Sequence, residues 1–193
     1  MRVFLSLPMN GKDISWIRSE KEKMIRNYDA MCGDGVKNTY FDTIDMTMPA
    51  DIFLENLEEG SEIVNRIWFL SESLKIMSKC DVVLFHPEAF HAKGCSVEYL
   101  TATTYGIDDI SLEITSRILE TYICRFTIHS RRDKVYKFLC DAGIWSRELL
   151  MKCSDNDILE LQKTTKGLGP TYAHEIIKLR NSIEKAWKEG EEN

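Results

Sequence analysis

The chain has little of what breaks or staples a fold. Four prolines and ten glycines among 193 residues exclude collagen-like and low-complexity architectures. Its six cysteines (Cys32, Cys80, Cys95, Cys124, Cys140 and Cys153) are scattered, with no Cys-x-x-Cys pair, so they read as reduced thiols. His86, His91 and Cys95 lie close in sequence, but no fourth ligand accompanies them and no metal is expected. Long hydrophobic runs are also missing. The longest, Val82 to Phe85 and Ile67 to Leu70, fall far short of the roughly 18 residues that a membrane span needs. The start, Met1 to Pro8, is strand-like and lacks the apolar stretch and cleavage site of a secretory signal. A cytoplasmic protein with no membrane partner is expected.

What is present suits one large or two small domains, with 44% hydrophobic and 29% charged residues. The net charge of −6 is unevenly spread: residues 1–115 hold 11 basic and 19 acidic side chains, and residues 116–193 hold 14 and 12. A first part at −8 disfavours a phosphate backbone as its partner, whereas a second part at +2 permits one.

The first part alternates strand and helix signals. Arg2 to Leu7 is an apolar run stopped by Pro8 and the Asn10-Gly11 pair, as expected of a buried strand entering a loop. Ile14, Ile17, Met24, Ile25 and Tyr28 recur at helical spacing behind a cap at Asp13 or Ser15. Asn38 to Asp45 alternates as a strand, and Ser61 opens a helix carrying Ile63, Ile67, Leu70, Leu74 and Met77. Val82 to Phe85 is a fully apolar strand, and a helix follows from Gly94 through Val97, Leu100, Ala102 and Tyr105. This β-α-β-α-β-α order predicts an α/β fold, a flavodoxin-like or Rossmann-like parallel sheet flanked by helices. Ligands in such folds gather beyond the carboxyl ends of the strands, here Ser6 to Gly11, the loop after Asp45, and His86 to Gly94.

Glu98 is the carboxylate of interest, because it stands in the first turns of the helix after the third strand. A helix start favours anions, and an ionised Glu in a cleft can attack an electrophilic sugar carbon. Lys93 beside that start suits a phosphate; His86 and His91 on the same loop are candidates for protonating or orienting a leaving base, with a loop-packing role favoured for both.

The segments Ser6 to Gly11, Lys79 to Phe85 and Lys93 to Gly106 together resemble the nucleoside 2-deoxyribosyltransferase superfamily, including its short phage-type members, over about residues 1–115. The resemblance implies that Glu98, in the Gly-x-x-x-Glu segment from Gly94, is the nucleophile toward the anomeric carbon. It also implies a sugar or phosphate pocket at Ser6, Pro8, Met9, Asn10 and Gly11. By their place on the second loop, His86, His91, Lys93 and Gly94 join these as candidate substrate-binding residues. Where those enzymes carry an Asp two residues before the Gly, this chain has Ala92 and then Lys93, which makes a nucleoside monophosphate an expected substrate beside a nucleoside. The implied activity is N-glycosidic bond transfer or hydrolysis by a homo-oligomer, without a cofactor. The alternative is a nucleotide-binding protein with no turnover.

Residues 116–193 read as a small helical domain, with Val135, Phe138 and Leu139 in one helix, Ile158, Leu159 and Leu161 in another, and Tyr172, Ile176, Ile177 and Leu179 in a third. Around the junction, Ile110 to Ile114 suits a closing strand and Ser116 to Tyr122 a helix. Val135 to Ile144, Ser154 to Leu161 and Gly167 to Ile176 resemble the carboxyl-terminal domain of the RNA polymerase alpha subunit, with a helix-hairpin-helix turn at Leu168-Gly169. That resemblance implies contact with nucleic acid at Lys134, Lys137, Gly169, Thr171 and Tyr172, or else docking of a protein partner.

Overall fold

The structure is a computed structural model that describes residues 1–46 and 61–191. It is a Rossmann-like α/β fold: a four-stranded, all-parallel sheet in the order β2 (Thr39–Phe41), β1 (Arg2–Ser6), β3 (Val82–Phe85), β4 (Asp108–Ser111), flanked by helices and followed by a helical carboxyl-terminal region. Most of the expected loop beyond Asp45 lies outside the described residues, as does the side chain of Ile63.

The two central strands, β1 (Arg2–Ser6) and β3 (Val82–Phe85), are the apolar runs, and Val3 to Ser6 and Val82 to Phe85 are buried throughout. Burial on both faces is what a parallel sheet covered by helices demands. The outer strands are more exposed. β2 is Thr39–Phe41 rather than the whole of Asn38 to Asp45, because the Asp42 carboxylate accepts the Ile44 N–H at 2.9 Å and turns the chain. β4 is Asp108–Ser111, displaced from the expected Ile110 to Ile114: the strand starts on two exposed aspartates, and a helix takes over at Leu112.

Ser6, Phe85 and Ser111 stand in register across β1, β3 and β4, so their side chains share one face of the sheet. That face also carries Phe4 and Val83, and helices α2 (Ser61–Met77) and α3 (Lys93–Tyr105) cover it with Leu74, Met77, Cys95 and Ala102. Helix α1 (Ile14–Cys32) is opened by Asp13, whose carboxylate accepts the Ser15 N–H at 2.7 Å and the Ser15 hydroxyl at 2.5 Å; Asp13, not Ser15, is the cap.

The chain divides into two compact units, Met1–Met24 with Gly35–Ser111, and Ile25–Asp34 with Leu112–Asn193. The linear division expected near 115/116 carried no sign that the second half of α1 belongs with the helical unit. The tie is polar: the Asn27 amide donates to the Gly143 carbonyl at 2.8 Å, and its oxygen accepts the Trp145 N–H at 2.9 Å. Around it stand α4 (Leu112–Phe126), α5 (Arg132–Asp141), α6 (Arg147–Lys152), α7 (Asp155–Thr164) and α8 (Pro170–Glu191). Val135, Leu139, Leu150, Ile158, Ile176 and Leu179 form the centre of this unit's core. Gly167, at φ 83°, lets the chain turn between α7 and α8, and Pro170 occupies the first position of α8, where its missing N–H is harmless. No described helix is long and apolar enough to cross a membrane.

Candidate functional site

In the order β2-β1-β3-β4 the chain leaves β1 toward one edge and returns to β3 on its other side. The crevice such a reversal opens lies beyond the carboxyl ends of the two strands. Ser6 ends β1 there, and α3 starts eight residues after β3, at Lys93. The buried side of α3 is Cys95, Glu98 and Ala102, at helical spacing, whereas its larger apolar residues Val97, Leu100 and Tyr105 are exposed. A carboxylate has thus displaced hydrocarbon from the side of the helix that meets the sheet.

Glu98 is only 7% exposed, and both of its oxygens are held by serine hydroxyls. Ser6 Oγ donates to Oε2 at 2.5 Å, and Ser73 Oγ, from α2, lies 2.6 Å from Oε1. Among the described residues its hydrogen-bond partners are neutral. Burial pushes the carboxyl above its ordinary range, and the two hydroxyls pull it back only in part. One turn earlier, burial pushes the Cys95 thiol up to about 11. It therefore stays protonated near neutrality, as a small apolar neighbour of Ser6 rather than a nucleophile.

His86 directly follows β3 and is also buried, but it faces a different set of groups. Its Nδ1 accepts the Glu88 N–H at 3.0 Å, which leaves Nε2 as the protonated nitrogen toward Glu20 at 3.1 Å. Burial pushes the Glu20 carboxyl up, but hydrogen bonds from His86 and Lys23 outweigh it and hold Glu20 below the ordinary range. Trp16 meets the imidazole edge-on at 5.7 Å, and Lys12 lies 4.3 Å from the Trp16 ring while reaching Glu88 at 3.0 Å. The loops after β1 and β3 are tied together by these contacts.

The remaining candidates of the first unit line those two loops. Pro8 is buried, Met9 half-buried, and Asn10 and Gly11 exposed. Gly11, at φ 72°, closes the turn in which Lys12 N donates to the Met9 carbonyl at 3.1 Å. His91, Lys93 and Gly94 are exposed where a 3-10 turn, Ala89–His91, leads into α3. The space around Gly94 is open. Of the expected residues, the structure brings Ser6 onto Glu98 and gives His86 to Glu20. Two members of the cluster, Ser73 and Cys95, were not among them. Ser73 had a signal: it stands three residues after Leu70 and four before Met77, a hydroxyl on the apolar stripe of α2.

In the helical unit, Lys134 lies 5.5 Å over the Tyr172 ring, which meets Phe138 edge-on at 5.2 Å. Gly169 is half-buried and Thr171 exposed at the start of α8. Lys137 pairs with Asp141 at 2.7 Å on the surface. Arg131 reaches the buried Glu175 at 2.8 Å, so one charge of the Arg131 to Lys134 run is neutralised within the unit.

An open cavity of about 560 Å³ lies at the other end of the sheet, along Val82, Gly106, Asp108 and Ile110. It begins at the amino ends of β3 and β4, the end away from Ser6. Among the described residues no group of three or more His, Cys, Asp or Glu side chains is placed to hold a metal. No protein-family model, curated protein or solved structure matches the chain.

Proposed function

We propose that the α/β unit acts on N-glycosidic bonds of nucleosides or nucleoside 5′-monophosphates, with Glu98 as nucleophile. The observation that carries this reading is a buried carboxylate at the carboxyl end of β1, held at both oxygens by neutral hydroxyls. Neutral donors orient Glu98 without cancelling its charge, so an oxocarbenium-like carbon beside it is the partner that gains most from the carboxylate. The likeness of Ser6 to Gly11 and Lys93 to Gly106 to the nucleoside 2-deoxyribosyltransferases supports the same chemistry. Lys93 and the open space at Gly94 suit a phosphate at the start of α3. The same likeness supports a homo-oligomer, which light scattering after size exclusion checks.

A second reading rests on the depth of Glu98: a carboxyl this buried and doubly bonded also suits a protein that holds a nucleotide without turning it over. The helical unit would then recognise nucleic acid or a protein partner around Lys134 and Tyr172. One experiment separates the two. Free base released from deoxyribonucleosides, ribonucleosides and their monophosphates is followed by chromatography, with and without an acceptor base, for the native chain and for Glu98→Gln. The enzyme reading expects release that falls at least about 10³-fold in Glu98→Gln. Release independent of Glu98, or none from any substrate by folded protein, overturns it.

A further inference from the structure

We propose that Ser73 is a positioning residue of this site: its hydroxyl donates to Glu98 Oε1 while the carboxylate is charged and turns its proton to the Leu70 carbonyl once that charge is gone. The inference rests on the reading of Glu98 as nucleophile and adds to it how the carboxylate is kept ready.

The geometry is specific to Ser73. Its Oγ lies 2.6 Å from Glu98 Oε1 and 3.0 Å from the Leu70 carbonyl, and the residue is 3% exposed. A hydroxyl has one proton and therefore serves one of these acceptors at a time. A serine bonded back to its own helix is commonplace; the contact to a carboxylate on a different helix is not explained by that habit. With Glu98 ionised, the proton goes to Oε1, the shorter contact and the one to a charge. With Oε1 protonated, the carboxylic acid donates to Ser73 Oγ and the serine proton turns to Leu70. No polar atom of this pair is orphaned in either state, which is what a group that changes charge in a buried place requires.

The chemical step has the same demand. A lone pair of Oε1 forms the bond to C1′ as the bond from C1′ to the base nitrogen breaks, its electron pair leaving with the base. Oε1 is then an uncharged ester oxygen and a poor acceptor, and Ser73 turns to Leu70. Water, or an acceptor base, next attacks C1′ and the ester electron pair returns to Oε1. The proton lost by the attacker balances the one gained by the departed base, and Ser73 turns back. Ser6 stays on Oε2 throughout, beside the protonated Cys95 thiol.

Two measurements test this in the full chain. In the first, the pH profile of base release is compared among the native chain, Ser73→Ala and Ser73→Thr. The second needs no substrate: Glu98 is titrated by infrared difference spectroscopy of protein carrying carbon-13 glutamate, with Glu98→Gln as the blank. Loss of the hydroxyl is expected to move the acid limb of the profile to higher pH and to lower release near pH 6 about tenfold. Threonine, which keeps the hydroxyl, is expected to restore it. The infrared titration of Ser73→Ala is expected to move in the same direction. A Glu98 titration unchanged by Ser73→Ala, or Glu98-dependent release with an unchanged profile, overturns the proposal. If no substrate is cleaved at all, the reading of Glu98 as nucleophile fails, and the infrared titration still decides whether Ser73 governs its charge.

Discussion

Each unit of this chain buries a glutamate, and the two are treated in opposite ways. In the helical unit Glu175, 6% exposed, is met by the Arg131 guanidinium at 2.8 Å. In the α/β unit Glu98, 7% exposed, is met by two serines. A buried charge is tolerated when an opposite charge accompanies it and costs stability when only neutral donors do. Glu175 has the partner of a structural residue. Glu98 has only hydroxyl partners among the described residues, and this contrast is why the proposed function rests on it. Glu20, also in the α/β unit and 6% exposed, sharpens the contrast: with Lys23 and His86 beside it, it falls on the structural side although it lies in the same unit as Glu98.

The largest expected effect on stability is in the helical unit. Asn27→Ala leaves the Gly143 carbonyl and the Trp145 N–H without this partner, and about 3 kcal/mol of stability is expected to go, read from urea unfolding followed by Trp fluorescence. Arg131→Ala removes the cation from Glu175 and is expected to cost about 2 kcal/mol, discounted because the Arg131 side chain is itself 35% exposed. Restoration of most of that loss by the double change with Glu175→Gln would place the cost in the stranded carboxylate.

Smaller effects appear as slopes against pH. Glu98 is held above the ordinary carboxylate range, so the stability it contributes is full at low pH and is lost as pH rises through its raised value. Glu98→Gln is therefore expected to flatten the decline of stability between the ordinary carboxylate range and neutrality. Glu20 is held below that range, so its contribution is present at neutral pH and is lost as pH falls. Glu20→Gln is expected to lower stability at pH 7 and to change it little in strong acid. Equal slopes for the two variants in thermal melts at stepped pH would erase the distinction drawn between them. The smallest effect belongs to Lys137→Ala, whose pair with Asp141 is exposed; a loss of less than about 0.5 kcal/mol is expected in the same urea unfolding measurement.

Much of the fold is legible in residue pattern. The runs Val3 to Leu5 and Val82 to Phe85 read as buried parallel strands because both of their faces are apolar. Val135, Leu139, Ile158, Ile176 and Leu179, at helical spacing, are buried in the helical unit. The edges were less legible. Asp108 and Asp109 carry no strand signal, and their backbone pairs with β3 only because the neighbouring strand is already in place. On α3, the exposed Val97, Leu100 and Tyr105 read as an apolar side, while the residues that meet the sheet include a carboxylate.

The candidate site divides in the same manner. Ser6 stands out at the end of one strand and Glu98 in the helix that follows another, which local pattern reveals. The place of Ser73 on the apolar stripe of α2 is legible too, but its contact with Glu98 and the pairing of His86 with Glu20 are not, since they join residues 25 and 66 positions apart. By itself, then, the sequence determined the element types, the parallel sheet and the carboxylate at its carboxyl end, because periodicity and turn residues act over a few positions. Tertiary structure alone decided which buried acid meets a cation and which meets only hydroxyls. It also decided that half of α1 serves the helical unit through Asn27. Both depend on packing between distant segments, where one hydrogen bond or one missing charge sets the outcome.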